Sequence, residues 1–509
     1  MPQRPPTSSS PTSLSNFING RAVPPSTNKY LDNFEPATGS LYGEVPDSSA
    51  EDINAAVAAA KAAFPAWGGA ATSSIERSRL LLALADAIDT PANTTRLAEL
   101  ESRDSGKPVS LARAVDIPRA AANIRFFATA ILHTHTEAHE FDGGGTPDGI
   151  PSLNYTLRRP RGVAGCISPW NLPLYLLTWK LAPALATGNT VVAKPSEVTP
   201  ATASALAELA AEVGFPPGVL NIVHGRGSEA GAALVKHPDV PTITFTGSTA
   251  VGRWIGQTCG DMLKRVSLEL GGKNPFIIFD DADLEGRAGV GAIETAARAA
   301  FANQGQICLC GSRLLVHDRV YDRVLAAIIE RVKALRIGDP AEPATQFGAL
   351  VSSAHRDKVD GCVQAAKKLG ATIHCGGGPV PPSALPERCK AGFFYQPTVI
   401  SGLDPACAVE QEEIFGPVVS LQRFTDEKHA LAIANGTPYG LAATLFTKDL
   451  ARAHRMASHL EAGIVWVNCW MVRDLRTPFG GVKQSGVGRE GGLEAIKFFT
   501  EPKNVCIAV

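Results

Sequence analysis

Two thiols stand two residues apart in Gly305-Gln306-Ile307-Cys308-Leu309-Cys310, where glycine and amide residues read as a loop opening into a strand. The thiolate is the reactive form of cysteine, so an accessible thiol here is a candidate nucleophile; two small buried apolar side chains are the bland alternative. Glu269 sits inside the apolar run 266–270, directly before Gly271 and Gly272. Burial raises a carboxyl pKa and makes the group a competent general base near neutral pH; an acid capping backbone amides is the alternative. Asn171 lies between Trp170 and Leu172-Pro173. Its amide suits a developing oxyanion, a contact worth about 3 kcal/mol in other enzymes, and it suits an ordinary turn equally well.

A second group of residues points to a nucleotide. Thr246-Gly247-Ser248 follows a β-rich run and opens a helical one. Small residues there let the backbone approach a pyrophosphate, whose charge a helix N-terminus favours. A dinucleotide fingerprint belongs after the first strand, yet Ser168-Pro169-Trp170-Asn171 stands in its place, so this signal alone leaves nucleotide binding open. The second strand ends Lys194-Pro195-Ser196-Glu197. An acid at that position binds ribose hydroxyls in nucleotide folds, and Glu197 would favour NAD over NADP by repelling the extra phosphate; a solvated surface pair is the other reading.

These residues sit at the ends of a regular alternation. The runs 162–167, 190–194, 221–223, 242–245 and 266–270 read as strands, with helices over 173–187, 201–213, 228–236 and 249–259. Alternation of this kind predicts a parallel sheet covered on both faces, with ligands beyond the carboxyl ends of its strands. A second α/β pattern follows, with strands over 276–279, 312–316, 398–400, 418–423 and 465–468. Two lobes with a cleft between them is the economical reading. Helices over 52–64, 75–88 and 116–132 precede the alternation, and residues 1–15, rich in Pro, Ser and Thr, read as a disordered tail.

Composition narrows the class. At 509 residues the chain exceeds one hydrophobic core, and 45% hydrophobic with 19% charged residues is ordinary for a globular protein. A formal net charge of -1 gives no basis for a nucleic-acid or anionic-membrane partner. The 10 cysteines are scattered and form no CxxC pair, which speaks against a disulfide scaffold or a zinc site and for a reducing compartment. No run is long and apolar enough for a membrane span, and Pro2, Pro5, Pro6 and Pro11 oppose an amphipathic transit helix. The expectation is a cytoplasmic protein with no metal.

Together the motifs resemble the aldehyde dehydrogenase superfamily. Ser-Pro-Trp-Asn at 168–171, Lys-Pro-Ser-Glu at 194–197, Phe-Thr-Gly-Ser at 245–248, Leu-Glu-Leu-Gly-Gly-Lys at 268–273, Gly-Gln-Ile-Cys at 305–308 and Glu-Glu-Ile-Phe-Gly-Pro at 412–417 match in order and spacing from about residue 16 to the end. The resemblance implies an α/β fold: a Rossmann-like NAD-binding domain (16–137 and 159–275), a catalytic α/β domain (276–485) and a small β oligomerisation arm (138–158 and 486–509) that makes a homodimer or homotetramer. It implies that Cys308 is the nucleophile and Glu269 the base. Asn171 and the Cys308 N–H would form the oxyanion hole, with Lys180 and Glu490 in proton relay. The NAD-binding set would be Ile167, Ser168, Pro169, Trp170, Lys194, Glu197, Gly227, Gly231, Phe245, Thr246, Gly247, Ser248, Leu270, Gly271, Glu413 and Phe415. The implied chemistry is a thiohemiacetal on Cys308, hydride loss to NAD, and hydrolysis of the thioester by water that Glu269 deprotonates.

Finer features resemble one branch of that superfamily. Cys308-Leu309-Cys310, Asp116-Ile117-Pro118-Arg119 and the run 468–476 are similar to enzymes that oxidise 2-aminomuconate or 2-hydroxymuconate semialdehyde in tryptophan or aromatic catabolism. Such substrates carry a carboxylate, which Arg119 and Arg473 would hold by bidentate bonds, with Trp179 beside them. Arg119 paired with Asp116 on its own helix is the alternative, and Cys310 is assigned to packing. Other readings are a generic or betaine-type aldehyde dehydrogenase, a CoA-acylating enzyme, which would not need Glu269, and a non-catalytic binding protein, which would not keep Cys308, Glu269 and Asn171 together.

Overall fold

The computed structural model describes residues 12–145, 147–286 and 291–509. Strands Val163–Ile167, Thr190–Lys194, Leu220–Ile222, Thr242–Thr246 and Arg265–Glu269 form a parallel core. Apart from the half-buried Val266, their Val, Ile and Ala side chains are buried on both faces, as a sheet covered by helices on both sides requires. Thr190–Lys194 and Thr242–Thr246 flank Val163–Ile167 on opposite sides, so the strand order reverses at this central strand. A crevice opens at such a reversal, and the turn 168–171 leaves the sheet there. Helix Pro173–Ala186 follows, with proline tolerated in its first turn and every residue buried.

Antiparallel strands extend this sheet to eight: Asn16–Ile18 and Arg21–Val23 at one edge, Gly486–Val487 at the other. The last pairing corrects a boundary. Gly486–Val487, grouped above with the oligomerisation arm, pair with the first sheet, and Glu490 beside them reaches Lys180 and Thr244. Gly486 permits this, because a Cβ there would lie 2.4 Å from the Leu268 carbonyl oxygen. The tail is corrected in part as well. Its first eleven residues lie outside those described, but Thr12–Ser13 pairs with Ser40–Pro46 in a small sheet with Tyr30–Glu35.

The second lobe is a seven-stranded sheet in the order Thr372–Cys375, Thr398–Ser401, Val418–Phe424, Arg313–His317, Pro275–Ile278, Ala442–Phe446 and Ile464–Val467, parallel except at the Thr372–Cys375 edge. A further three-stranded sheet is the arm. Ala138–Phe141 and Ser152–Pro160 form a hairpin, and Thr500–Ala508 pairs along the whole of the longer strand. Gly143 (φ 87) and Gly145 (φ 81) adopt left-handed backbone in the hairpin loop. No helix among the described residues is long and apolar enough to cross a membrane.

Candidate active site

Cys308 lies on a loop that runs from helix Ala292–Phe301 to strand Arg313–His317. Asn303 (φ 51), Gln304 (φ 56) and Gly305 (φ 70) turn this loop through left-handed backbone. At Gly305 a side chain is impossible, since a Cβ would sit 2.2 Å from the Gly416 carbonyl oxygen. The amides around the thiol are committed to holding the loop. Asn274 Nδ2 donates to the Cys308 carbonyl at 2.7 Å and to the Cys310 carbonyl at 2.9 Å. Asn171 Nδ2 donates to the Gln306 carbonyl at 2.8 Å, and Asn303 Nδ2 returns a bond to the Asn171 carbonyl at 3.0 Å. The turn after the central strand is thus tied to the cysteine loop.

Glu269 ends strand Arg265–Glu269 and is buried, and neither carboxyl oxygen has a hydrogen-bond partner. Burial, and then the neighbouring Glu490 carboxylate, push its pKa well above the ordinary range. Glycine is required opposite it, because a Cβ on Gly480 would come within 2.7 Å of Glu269 Oε1. Lys180 Nζ donates to Glu490 Oε1 at 2.7 Å and to Thr244 Oγ1 at 3.1 Å, an ion pair set behind the base. The Cys308 thiol is also pushed upward, first by burial and then by the Glu413 and Glu269 carboxylates, while Arg473 opposes the shift. Thiol and carboxyl are both held towards their uncharged forms.

A cavity of about 190 Å³ opens on one side of Cys308. Pro169, Trp170 and Asn171 form one wall, Thr246 to Ser248 with Leu270 and Gly271 a second, and Glu413 and Phe415 a third. The glycines make room: a Cβ on Gly247 would lie 2.4 Å from the Phe245 ring, and one on Gly271 2.2 Å from Glu413 Oε2. Glu413 Oε1 accepts from the Gly272 N–H at 3.0 Å, and burial raises its pKa to about 7. Phe415 has left-handed backbone (φ 59); its carbonyl lies 2.7 Å from His355 Nε2, and its ring meets Trp170 edge-on at 5.2 Å. Lys194, Glu197, Gly227 and Gly231 lie farther along the crevice, outside this cavity. Lys194 Nζ donates to Glu197 Oε2 at 3.1 Å and to the Gly225 carbonyl at 2.7 Å. Ile167 pairs with Lys194 across the strands, and the Ser168 N–H donates to the Lys194 carbonyl at 3.3 Å.

A larger cavity, about 620 Å³, opens on the other side and reaches Ile307, next to Cys308. Arg119 and Arg473 both line it. Arg473 Nη1 donates to Tyr175 Oη at 3.0 Å, and its guanidinium lies 4.1 Å from the Phe479 ring centroid and 4.9 Å from that of Trp179. Arg119 rests 5.6 Å from the Tyr175 ring centroid, and its Nε and Nη2 are buried without a partner. Asp116 does not pair with Arg119; it accepts instead from Lys107 Nζ at 2.7 Å. Trp179 is not a cavity wall. It is 2% exposed and lies beneath Arg473, which stands between it and the space.

The sequence profile of the aldehyde dehydrogenase family matches residues 23–505. The chain belongs to that family. It is similar to the 2-aminomuconic semialdehyde dehydrogenase of Danio rerio, with 51% identity over 97% of this chain and 98% of that protein. It is also similar to the 2-hydroxymuconic semialdehyde dehydrogenase of Pseudomonas sp. (strain CF600), with 47% identity over 97% of this chain and 99% of that one. Among solved structures, PnpE in complex with nicotinamide adenine dinucleotide superposes with a TM-score of 0.92 at 44% identity, covering 97% of this chain and 98% of that one.

Within this family fold, three of the site's structural contacts had no sequence signal. Tyr175 looks like one more large residue in the apolar helix Pro173–Ala186, and His355 is 60 residues from the Phe415 carbonyl it meets. Asn274 follows the glycines of a recognised motif, but nothing local shows that its amide faces Cys308.

Proposed function

We propose that this enzyme oxidises a carboxylate-bearing semialdehyde of the muconate type to the corresponding acid. Family membership makes it an aldehyde dehydrogenase, and NAD is its hydride acceptor, in line with the NAD-bound relative. The 2-aminomuconic and 2-hydroxymuconic semialdehyde dehydrogenases that it resembles favour such a substrate, one that arises when tryptophan or other aromatic rings are degraded. The observation that carries this reading is Arg119. Its side chain lines a cavity that also holds Arg473, and although Tyr175 engages it, its Nε and Nη2 have no hydrogen-bond partner, so a ligand carboxylate there would satisfy donors the protein leaves open.

The crevice suits a dinucleotide. Gly247 and Gly271 leave space that side chains would fill, and Thr246 Oγ1 and Ser168 Oγ are buried with no protein partner. Ser248 caps helix Thr249–Asp261, whose N-terminus favours a pyrophosphate. Glu413 and Phe415 would hold the nicotinamide end, and Lys194 and Glu197 the adenosine ribose. When bound, NAD would supply the hydride acceptor beside the substrate carbon.

The residues of the chain do the rest. Glu269 takes the Cys308 proton, and the sulfur attacks the aldehyde carbon to give a thiohemiacetal. One N–H of the Asn171 amide is committed to Gln306; the other, with the Cys308 N–H, receives the oxyanion. Loss of hydride leaves a thioester. Glu269 passes the thiol proton outward through the Lys180–Glu490 pair, then deprotonates a water that cleaves the thioester and frees the Cys308 sulfur, and the same pair carries away this second proton. The arm provides a homodimer or homotetramer contact through its largely exposed edge strand Thr500–Ala508. Ten free cysteines suit a reducing compartment such as the cytoplasm.

The test is NADH formation from semialdehydes of equal length with and without a carboxylate. Preference for the carboxylated member by at least about tenfold in kcat/KM is expected. Equal values overturn the substrate reading, and turnover that persists in Cys308→Ala overturns the mechanism.

A further inference from the structure

The mechanism leaves one buried ionic cluster unused. Glu101 and Lys107 are 0% exposed and Asp116 is 1% exposed. Lys107 Nζ donates to Asp116 Oδ2 at 2.7 Å and to the backbone carbonyl of Asn171 at 3.0 Å, with Glu101 Oε1 at 3.8 Å. Glu101 Oε2 accepts from Thr202 Oγ1 at 2.8 Å and from the Leu174 N–H at 3.4 Å. A buried ion cluster is a poor source of stability, since apolar residues of similar volume often replace one without loss. What this cluster touches is more informative.

Its contacts bracket the turn that presents the Asn171 amide, one on the carbonyl of residue 171 and one on the N–H of residue 174. Its other end reaches the substrate side. Asp116 ends the π-helical turn Ala112–Asp116 and lies three residues before Arg119, on the segment that continues into helix Ile117–Ala130; both residues line the larger cavity. Lys107 therefore joins two parts of the site that no shared element connects. We propose that Lys107 is a positioning residue: by bonding the Asn171 carbonyl and the Asp116 carboxylate at once, its ammonium fixes the oxyanion amide relative to the segment that carries Arg119. The proposal rests on the roles given above to Asn171 and Arg119. Small displacements suffice for an effect, because a misplacement of about 1 Å costs about 10²-fold in rate.

The test uses the full-length enzyme with Lys107→Met, which keeps length and removes charge, alone and combined with Asn171→Ala. Melting temperature, NAD binding by tryptophan quenching and single-turnover NADH formation are measured on each. The expected result is NAD binding within about twofold of wild type and a single-turnover rate lower by about 10- to 100-fold. In the Asn171→Ala background the same change should cost less than about twofold, because the residue acts through that amide. Losses that multiply in the double variant, or a folded Lys107→Met with the wild-type rate, overturn the proposal. Where Lys107→Met does not fold, Asp116→Asn carries the test: it should reduce the kcat/KM advantage of carboxylated over neutral aldehydes, and an unchanged ratio overturns the proposal. If Asn171→Ala alone keeps the wild-type rate, the oxyanion assignment fails and this proposal fails with it. Loss in Asn171→Ala with none in Lys107→Met removes the positioning role alone.

Discussion

Replacing Arg119 with alanine isolates recognition of the substrate carboxylate. Its Nε and Nη2 are buried and unpaired, and burial holds the guanidinium below its ordinary pKa. A charge-assisted hydrogen bond contributes about 1.5–3 kcal/mol, so a two-pronged contact is worth about 3–6 kcal/mol. The side chain is only partly buried, so solvent competes and the lower end governs. About 3 kcal/mol is a loss of about 10²-fold in kcat/KM for a carboxylated semialdehyde. A neutral aldehyde of equal length should lose less than about threefold, because it makes no such bonds. The free enzyme should lose little stability, since the change removes a partly desolvated cation that Tyr175 satisfies only in part. The assay is steady-state NADH formation on both aldehydes beside a thermal melt. Equal losses on the two substrates, or a fall in melting temperature that accompanies the loss, would show Arg119 to be a structural residue and refute the reasoning. Arg473→Ala is a less selective probe. Its charge opposes the upward shifts of both Cys308 and Glu269, so its removal should slow every aldehyde.

Glu269→Gln should form the thioester more slowly, because the raised thiol loses its base, and then stall, giving one NADH per site and a deacylation slower by about 10²–10⁴-fold. Intact-protein mass spectrometry detects the trapped acyl group, and wild-type steady-state turnover would remove Glu269 from hydrolysis. With the Cys308 pKa raised, only a small thiolate fraction exists at neutral pH and it grows as pH rises. Inactivation by iodoacetamide should therefore accelerate close to tenfold per pH unit between about pH 7 and pH 9, and a rate already flat at neutral pH would contradict the raised thiol. Deleting residues 500–509 uncovers the Ser152–Pro160 strand, and light scattering should then report a smaller assembly; an unchanged mass would place the subunit contact elsewhere.

The first lobe was readable because two physical constraints coincide there. A strand covered on both faces must be apolar throughout, and a crossover helix must return the chain, so 162–270 alternates visibly and its strands agree with the structure to within about a residue. Ala442–Phe446 escaped the same reading although it is fully buried in the second sheet. Its two alanines have little β preference, and only the neighbouring strands on either side make the segment extended. The pairing of Gly486–Val487 went unread for a related reason. Glycines that resemble linker are in fact what allows Gly486–Val487 to reach the Arg265–Glu269 strand.

The candidate site divides in the same way. Glu269 and Asn171 stand out because each is polar in an apolar local setting, which the chain itself displays. Lys107 does not stand out, since its partner Asn171 is 64 residues away and an isolated lysine reads as surface. Backbone conformation is the least legible property, and it concentrates where the chemistry is. Among the described residues nine without a glycine's freedom have positive φ, and three of them line the two cavities, Phe415 the smaller and Asn303 and Met471 the larger, while Gln304 follows Asn303 before the nucleophile and Asn468 precedes Trp470 by two residues. Each such residue costs about 1–3 kcal/mol and persists only where its surroundings over-determine it. Those surroundings are visible: the Asn303 and Asn171 amides on the cysteine loop, His355 on the Phe415 carbonyl, and the Leu309 carbonyl on Trp470 Nε1 at 3.0 Å. Strain at the thiol is thus held by bonds from distant segments, which no reading of local propensity can supply.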